Sequence, residues 1–163
     1  MNRDTRRRIF DTAVWLGGAF FLAALAVDAA AGERLAYTAS DPAWRNECGS
    51  CHVAYPPQML AASSWRTIMQ GLDRHFGTDA SLDAATATPI LAFLEAHAGP
   101  DGGKRGSGGA MRITETRWFR HEHDEIAAAV WSRKEVGSRA NCAACHRDAD
   151  RGDFNERTVR VPR

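Results

Sequence analysis

Two copies of the pattern C-x-x-C-H contain all four cysteines of this 163-residue chain, one at residues 48–52 and one at residues 142–146. Positions three and four apart lie on one face of a helical turn, so both thiols of a copy can reach the two vinyl groups of one porphyrin. The histidine that ends each copy follows on that face and can ligate the iron. The pattern therefore predicts two covalently bound c-type haems. The predicted attachment residues are Cys48, Cys51, Cys142 and Cys145, and the predicted proximal iron ligands are His52 and His146.

Three other kinds of site also use paired cysteines. Two C-x-x-C pairs can hold a structural zinc ion, but the long interval between residues 51 and 142 and the histidine in both copies argue against one. A thioredoxin-like redox pair lies beside a βαβ pattern, and neither copy has one around it. A disulfide framework would not explain two histidines at the same offset. We therefore interpret both copies as haem attachment sites.

The apolar content of residues 32–163 is too low for an ordinary core. These 132 residues include only 19 Leu, Ile, Val and Phe residues, and a share below about 20% is typical of chains that do not fold unaided. Two buried porphyrins would supply the missing apolar mass. The composition therefore predicts that the chain without its haems is largely unfolded.

The first 31 residues have the features of an export signal. Four arginines precede an apolar run over residues 13–27, and Ala29 and Ala31 provide the small residues of a cleavage site. The run is shorter than the about 20 residues that a membrane-spanning helix needs. We therefore expect residues 1–31 to be a signal peptide and the mature protein to be periplasmic. A membrane anchor that stays uncleaved is the alternative.

The charges of the remaining chain are balanced but unevenly distributed. Residues 32–163 contain 17 basic and 17 acidic residues, so they lack the strongly basic character of a nucleic-acid-binding protein. Residues 32–98 contain 4 basic and 7 acidic residues, whereas residues 111–163 contain 11 basic and 9 acidic residues. Opposed charges of this kind can orient docking on another redox protein.

A glycine-rich segment divides the mature chain. Residues 99–110 include six glycines, a composition that predicts a flexible linker or a long surface loop. It separates an N-terminal haem lobe, residues 32–98, from a C-terminal haem lobe, residues 111–163. Alternating clusters of β-branched residues are nearly absent, so we expect no strands beyond a short extended tail at residues 158–162. The predicted fold is all-α, with two small helical lobes that each wrap around one haem.

Apolar residues at helical spacing predict three helices, and a histidine ends or interrupts each apolar stripe. The second stripe follows Pro89, a residue that fits near a helix start. The stripes are Trp65, Ile68, Leu72 and His75; Ile90, Phe93, Leu94 and His97; and Phe119, His123, Ile126 and Val130.

These histidines are the candidates for the second axial ligand of each iron. His75 shares the first apolar stripe, and Met69 competes with it because thioethers also ligate c-type haem. His121 and His123 are two residues apart on one predicted helix, so only one of them can face a given haem. We choose His123, which shares the third stripe, and interpret His121 as solvated or at the haem edge.

Two further alternatives stay open at this point. His97 ends its predicted helix beside the linker, where it is either a helix cap or a ligand. The simplest pairing joins His52 with His75 and His146 with His123, within the lobes. Crossed pairing between the lobes is the alternative.

Four segments of this chain together resemble the dihaem cytochrome c family known as DHC, whose proteins come from proteobacterial periplasms. The resemblance covers roughly residues 40–162. Its segments are ECGSCHVAYPPQML, then WRTIMQGLDRHFG at residues 65–77, then ITETRWFRHEHDEI at residues 113–126, and NCAACHRDADRGDF at residues 141–154.

The resemblance implies an α-helical electron-transfer protein with bis-histidine haems, and by motif position it assigns the distal ligands to His75 and His123. It implies an N-terminal lobe similar to a class I cytochrome c. It also implies other redox proteins as partners, such as a monohaem oxygen-binding cytochrome or a membrane b-type cytochrome. We expect a single-electron carrier with no substrate of its own. The alternatives are a dihaem peroxidase with one open iron, a gas-binding haem protein whose distal histidine detaches, and a thiol or zinc protein.

Overall fold

The structure is a computed structural model that describes residues 41–163. The predicted signal peptide, residues 1–31, lies outside the described residues. The all-α prediction is confirmed there, because residues 41–163 form helices and turns with only two isolated backbone bridges and no strand. The α-helices are α1 (Pro42–Cys48), α2 (Ala62–Gln70), α3 (Ala84–Ala96), α4 (Arg117–Glu122) and α5 (Ala128–Trp131), with short 3₁₀ turns between and after them.

Local sequence explains where α1 begins and ends. Its first turn is capped by Asp41, whose carboxylate accepts a 2.7 Å hydrogen bond from the Trp44 amide, and Pro42 fits the first helical position. At the other end a Cβ on Gly49 would lie 2.3 Å from the Arg45 carbonyl oxygen. Glycine therefore lets the chain turn immediately after Cys48.

The first predicted helix is shorter than the apolar stripe implied. Helix α2 ends at Gln70 and is followed by Gly71 and a 3₁₀ turn, Leu72–Arg74, so His75 lies beyond the helix rather than on its face. Glycine favours this break because it costs a helix about 1 kcal/mol relative to alanine. Trp65 and Ile68 are buried as the stripe predicted, and the break gives His75 a different direction.

The second predicted helix is confirmed, but its start was wrong. Helix α3 begins at Ala84, where Asp83 accepts a 3.0 Å hydrogen bond from the Thr86 amide, and Pro89 lies inside the helix. Proline leaves the carbonyl of Ala85 without its helical donor. Both residues are exposed, so water can solvate that carbonyl.

The third predicted helix is two short helices. Helix α4 begins after Thr116, whose buried hydroxyl accepts from the Phe119 amide at 3.1 Å, and it ends at Glu122. His123 is the capping residue, and its Nδ1 contacts the Phe119 carbonyl at 2.8 Å. A side chain that occupies this carbonyl competes with the backbone donor that would continue the helix.

One buried cluster joins the two halves of the chain. Trp44, α2 and α3 provide most of it, and the Trp44 and Phe93 rings lie 5.2 Å apart. The Trp65 indole donates a 2.7 Å hydrogen bond to the Pro57 carbonyl, which satisfies its buried N–H. The buried members are Trp44, Met59, Leu60, Trp65, Ile68, Ile90, Leu94, Ile113 and Phe119.

The glycine-rich segment, residues 99–110, is fastened at two points. The Gly99 amide donates to the Leu60 carbonyl at 2.8 Å, and buried Ser107 accepts from the Ala61 amide at 3.2 Å. A Cβ on Gly99 would lie 2.0 Å from the Gln58 carbonyl oxygen, so the chain approaches too closely for a side chain. The loop therefore lies against the start of α2.

Within the part of the chain that the structure describes, every helix is too short or too polar to cross a membrane.

Candidate haem sites

The first C-x-x-C-H copy lies at the end of α1. Cys48 is the last residue of the helix, and Cys51 and His52 follow in the turn after Gly49. The Ser50 hydroxyl donates to the Glu47 carbonyl at 2.9 Å and lies 3.7 Å from the Cys51 sulfur. Because Trp44 is buried one turn earlier, the hydrophobic core positions this attachment segment.

The second copy lies on a 3₁₀ turn, Cys142–Ala144. The His146 amide donates to the Cys142 carbonyl at 2.8 Å, which gives this copy one helical turn. The Arg160 amide donates to the Cys145 carbonyl at 3.0 Å, so the C-terminal tail holds the turn from outside. Only Cys48 of the first copy thus belongs to a regular α-helix, whereas the second copy forms a single helical turn.

Three of the thiols, those of Cys48, Cys142 and Cys145, have a raised pKa, unlike the thiols of a reactive pair. Burial raises the pKa of Cys48 to about 11, with neighbouring Glu47 adding to the shift. Burial likewise raises the pKa of Cys142 to about 11 and raises the pKa of Cys145. Redox-active pairs have lowered values, and zinc binds thiolates. All four thiols are unpaired, and no group of three or more His, Cys, Asp or Glu side chains within residues 41–163 could hold a metal ion.

The structure brings His52 and His75 together. Their ring centroids are 6.2 Å apart and their planes differ by 23°. Nδ1 of His52 contacts the Val53 carbonyl at 2.8 Å, which leaves its Nε2 available. Burial lowers the pKa of His75, and the nearby His52 and Arg112 lower it further, so the neutral metal-binding form is favoured.

The structure also brings His146 and His123 together. Their centroids are again 6.2 Å apart, but their planes differ by 71°. Nδ1 of His123 is held by the Phe119 carbonyl, and the Phe119 ring stacks on His123 at 4.1 Å. Burial lowers the pKa of His146, His123 lowers it further, and Asp153 opposes the shift.

The competing candidates have other partners. His121 is exposed, and its Nδ1 lies 3.9 Å from the Asp124 carboxylate. His97 is exposed and caps α3 through a 2.9 Å contact with the Phe93 carbonyl. Met69 is half-buried against the hydrophobic cluster.

Both histidine pairs have a ring separation that would suit two imidazoles held by one metal ion. Imidazole nitrogens lie about 2.0–2.1 Å from a metal, which places two opposed rings about 6 Å apart. Ligating histidines also hold their other ring nitrogen on a backbone carbonyl or similar acceptor, as His52 and His123 do. The donor sets therefore suit the two c-type haems that the sequence predicts.

Aromatic side chains around the histidines were not predicted as part of the sites. The distances between ring centroids are 4.6 Å for Tyr55 stacked on His52, 4.8 Å for Phe76 and His75, and 5.9 Å for Trp131 and His123. Tyr55 and Phe76 are within three residues of the histidines they contact, and this short sequence separation is the signal from which they could have been predicted.

A depression beside the His123 ring is lined by Phe119, Arg120, His123, Asp124, Ile126, Trp131 and Arg139.

Comparison with known proteins identifies the family. The profile of the family described as dihaem cytochrome c matches residues 44–154. A comparison with curated protein sequences gives no significant match.

Solved structures agree with this assignment. A diheme cytochrome c from Rhodobacter sphaeroides is 41% identical with a TM-score of 0.64, over 71% of this chain and 97% of that one. A second structure, DHC purified from Rhodobacter sphaeroides, is 43% identical with a TM-score of 0.62, over 71% and 98%. The diheme cytochrome of Shewanella baltica OS155 is 38% identical with a TM-score of 0.65, over 74% and 92%. The chain therefore belongs to the dihaem cytochrome c family, whose two covalently bound c-type haems correspond to the C-x-x-C pairs Cys48/Cys51 and Cys142/Cys145.

Proposed function

We propose that this protein is a single-electron carrier in which both haem irons have two histidine ligands. His52 and His75 would ligate one iron, and His146 and His123 the other. The observation that carries the proposal is the equal 6.2 Å separation of the ring centroids in the two pairs. A c-type haem supplies one-electron chemistry when bound, since its iron changes between the ferrous and ferric states.

The protein's own residues would keep both sites closed to substrates. If both histidines of a pair held the iron, they would leave it no free coordination position for peroxide or a gas. His123 is held by its contact with the Phe119 carbonyl and by the stacked Phe119 ring, so its detachment would break two interactions. This argues for a carrier rather than a dihaem peroxidase or a gas-binding protein.

Other redox proteins are the proposed partners. Residues 32–98 carry a net negative charge and residues 111–163 a net positive charge. Complementary charge on a partner would orient a transient complex and raise the association rate. A monohaem oxygen-binding cytochrome and a membrane b-type cytochrome are candidates, as the family resemblance implies.

Spectroscopy of the matured protein tests the ligation. We expect optical and EPR spectra of the ferric protein to show only low-spin iron, and we expect cyanide and carbon monoxide to leave the spectra unchanged. A high-spin fraction, or rapid binding of either ligand, would exclude a carrier with two closed sites. Mass analysis that finds fewer than two added haems would exclude it at an earlier step.

We also propose export to the periplasm by cleavage after Ala31, on the basis of the signal-like residues 1–31. The test is fractionation of expressing cells, followed by sequencing of the mature N-terminus. A soluble periplasmic protein that begins at Gly32 is expected. Retention of residues 1–31 in the membrane fraction would support the anchor instead.

A further inference from the structure

Tyr55 contacts the attachment segments of both sites. Its ring stacks on the proximal His52, with centroids 4.6 Å apart and planes 20° apart. Its hydroxyl donates a 2.6 Å hydrogen bond to the Ala140 carbonyl, two residues before Cys142. One side chain therefore joins a ligand residue of the first site to the turn that carries the second.

The backbone holds Tyr55 in this place. Pro56 and Pro57 follow it directly and are fully buried. Proline fixes its own φ and restricts the residue before it, so the Tyr55 backbone has few alternative conformations. The Trp65 indole bonds to the Pro57 carbonyl at 2.7 Å, which ties this segment to the core. The backbone from which the phenol ring extends is therefore held in one position.

His52 needs such a support because it is exposed and contacts the Val53 carbonyl through one ring nitrogen. One hydrogen bond leaves an imidazole free to rock, whereas a stacked ring restricts the tilt of its plane. The planes of Tyr55 and His52 differ by 20°, and those of His52 and His75 by 23°. The Tyr55 and His75 rings are thus each tilted by no more than 23° from the His52 plane.

A second hydrogen bond joins the same two segments. The Arg45 guanidinium, on α1, also donates to the Asp150 carbonyl at 2.9 Å. Both links connect the proximal side of the first site to the segment around the second.

We propose that Tyr55 is a positioning residue that couples the two sites: its ring sets the plane of the His52 imidazole, and its hydroxyl fastens that ring to the Cys142 turn. The proposal rests on the proposed ligation by His52 and His75. Tyr55 itself neither gains nor loses an electron or a proton in this role.

EPR of the fully oxidised, matured protein tests the ring. The g values of a low-spin ferric centre depend on the angle between its two imidazole planes, so each site has its own signal. The His123→Ala variant assigns the signals, since it removes the low-spin signal of the second site. We expect Tyr55→Leu to shift and broaden the first site's signal, and Tyr55→Phe to leave its g values unchanged.

Thermal unfolding of the same protein tests the hydroxyl. Tyr55→Phe loses the bond to the Ala140 carbonyl but keeps the stacked ring, and we expect its unfolding midpoint to fall by roughly 2–4 °C. In the EPR experiment, Phe154→Leu is the matched control for Tyr55→Leu, because the Phe154 ring lies 5.2 Å from the ring of the proximal His146. This control should change only the EPR signal of the second site.

Three results would overturn the proposal. The first is a Tyr55→Leu protein with an unaltered signal from the first site. The second is a Tyr55→Phe shift in g values as large as that of Tyr55→Leu. The third, decisive even if the Leu variant fails to mature, is a Tyr55→Phe protein with the wild-type unfolding midpoint. Failure of the proposed ligation is separate, because it would appear as high-spin iron in the wild-type spectrum.

Discussion

The two attachment sites use the same pentapeptide on different supports. The first lies at the end of α1, a seven-residue helix whose Trp44 is buried in the main cluster. The second lies on the 3₁₀ turn Cys142–Ala144, which the tail and Tyr55 hold through the hydrogen bonds at Cys145 and Ala140. The comparison shows that the same pentapeptide can follow the end of an α-helix or lie on a 3₁₀ turn. The second site consequently depends more on contacts from elsewhere in the chain.

The two histidine pairs also differ, in the angle between their rings and in the local structure that holds them. Their ring separations are equal, but the planes are 23° apart in the first pair and 71° apart in the second. His75 follows a 3₁₀ turn, whereas His123 caps α4 and is held by Phe119. The two pairs thus share one ring separation but differ in ring angle and in the local structure around His75 and His123.

The largest effect is expected when neither attachment site can bind its haem. Replacing all four cysteines by serine prevents attachment, and the few apolar side chains of residues 32–163 cannot replace two porphyrins. We expect this variant to lack a cooperative thermal transition in far-ultraviolet circular dichroism, in contrast to the matured protein. A cooperative transition would mean that the cluster around Trp44 folds the chain unaided.

The second effect is the loss of one closed site. His123→Ala removes the ring that faces His146, so the second iron should become high-spin and bind carbon monoxide while the first stays low-spin. Optical difference spectra measure this directly. His121→Ala is the matched control, since His121 is exposed beside Asp124. If the His121 variant opens a site and the His123 variant does not, the assignment of the distal ligand is wrong.

A smaller effect is expected when the N-terminal cap of one helix in each half of the chain is removed. Thr116→Ala removes a buried cap of α4 and should lower the free energy of unfolding by about 1–2 kcal/mol, whereas the exposed cap variant Asp83→Ala on α3 should lower it less. Because α4 leads to His123, only the Thr116 variant should perturb the spectrum of the second site. Denaturant titration and EPR provide the two measurements, and Thr116→Ser should restore both. Equal spectral changes in the two variants would show that α4 does not position His123.

The smallest effect concerns the distal side of the first site. The Arg112 guanidinium lies 4.0 Å from the centroid of Phe76, which contacts His75. Arg112→Gln should cost about 0.5–1 kcal/mol of stability. It should also lower the first midpoint potential, because a nearby positive charge favours the ferrous state.

Spectroelectrochemical titration separates the two midpoints of this variant. Arg112→Lys keeps the charge and should leave the potential near the wild-type value while losing the planar stacking. An unchanged first midpoint in the Gln variant would show that solvent screens this charge completely.

The sequence predicted the parts of the molecule that depend on local pattern. The two pentapeptides, the all-α class and the apolar stripe of α3 are all readable within short windows, and the structure contains each of them. His75 and His123 were chosen from such stripes, and each does lie beside a proximal histidine.

The errors arose at helix boundaries, at the start of α3 and at the ends of α2 and α4. The stripes continued past Gly71 and past His123, and both helices stop there, because glycine weakens a helix and the His123 ring takes the Phe119 carbonyl. Tyr55 and Ala140 are 85 residues apart in the chain, so no local pattern could show their contact. Ring angles likewise depend on tertiary packing, which periodicity does not record.

The close approach at Gly99 has a consequence for engineering this protein. Any side chain there would collide with the Gln58 carbonyl, so saturation mutagenesis should find this position intolerant. Gly102 and Gly103 lie in the same loop with no atom within 4 Å of their Cβ positions. A fluorescent reporter or affinity tag could therefore be inserted between these two glycines without disturbing the anchored start of the loop.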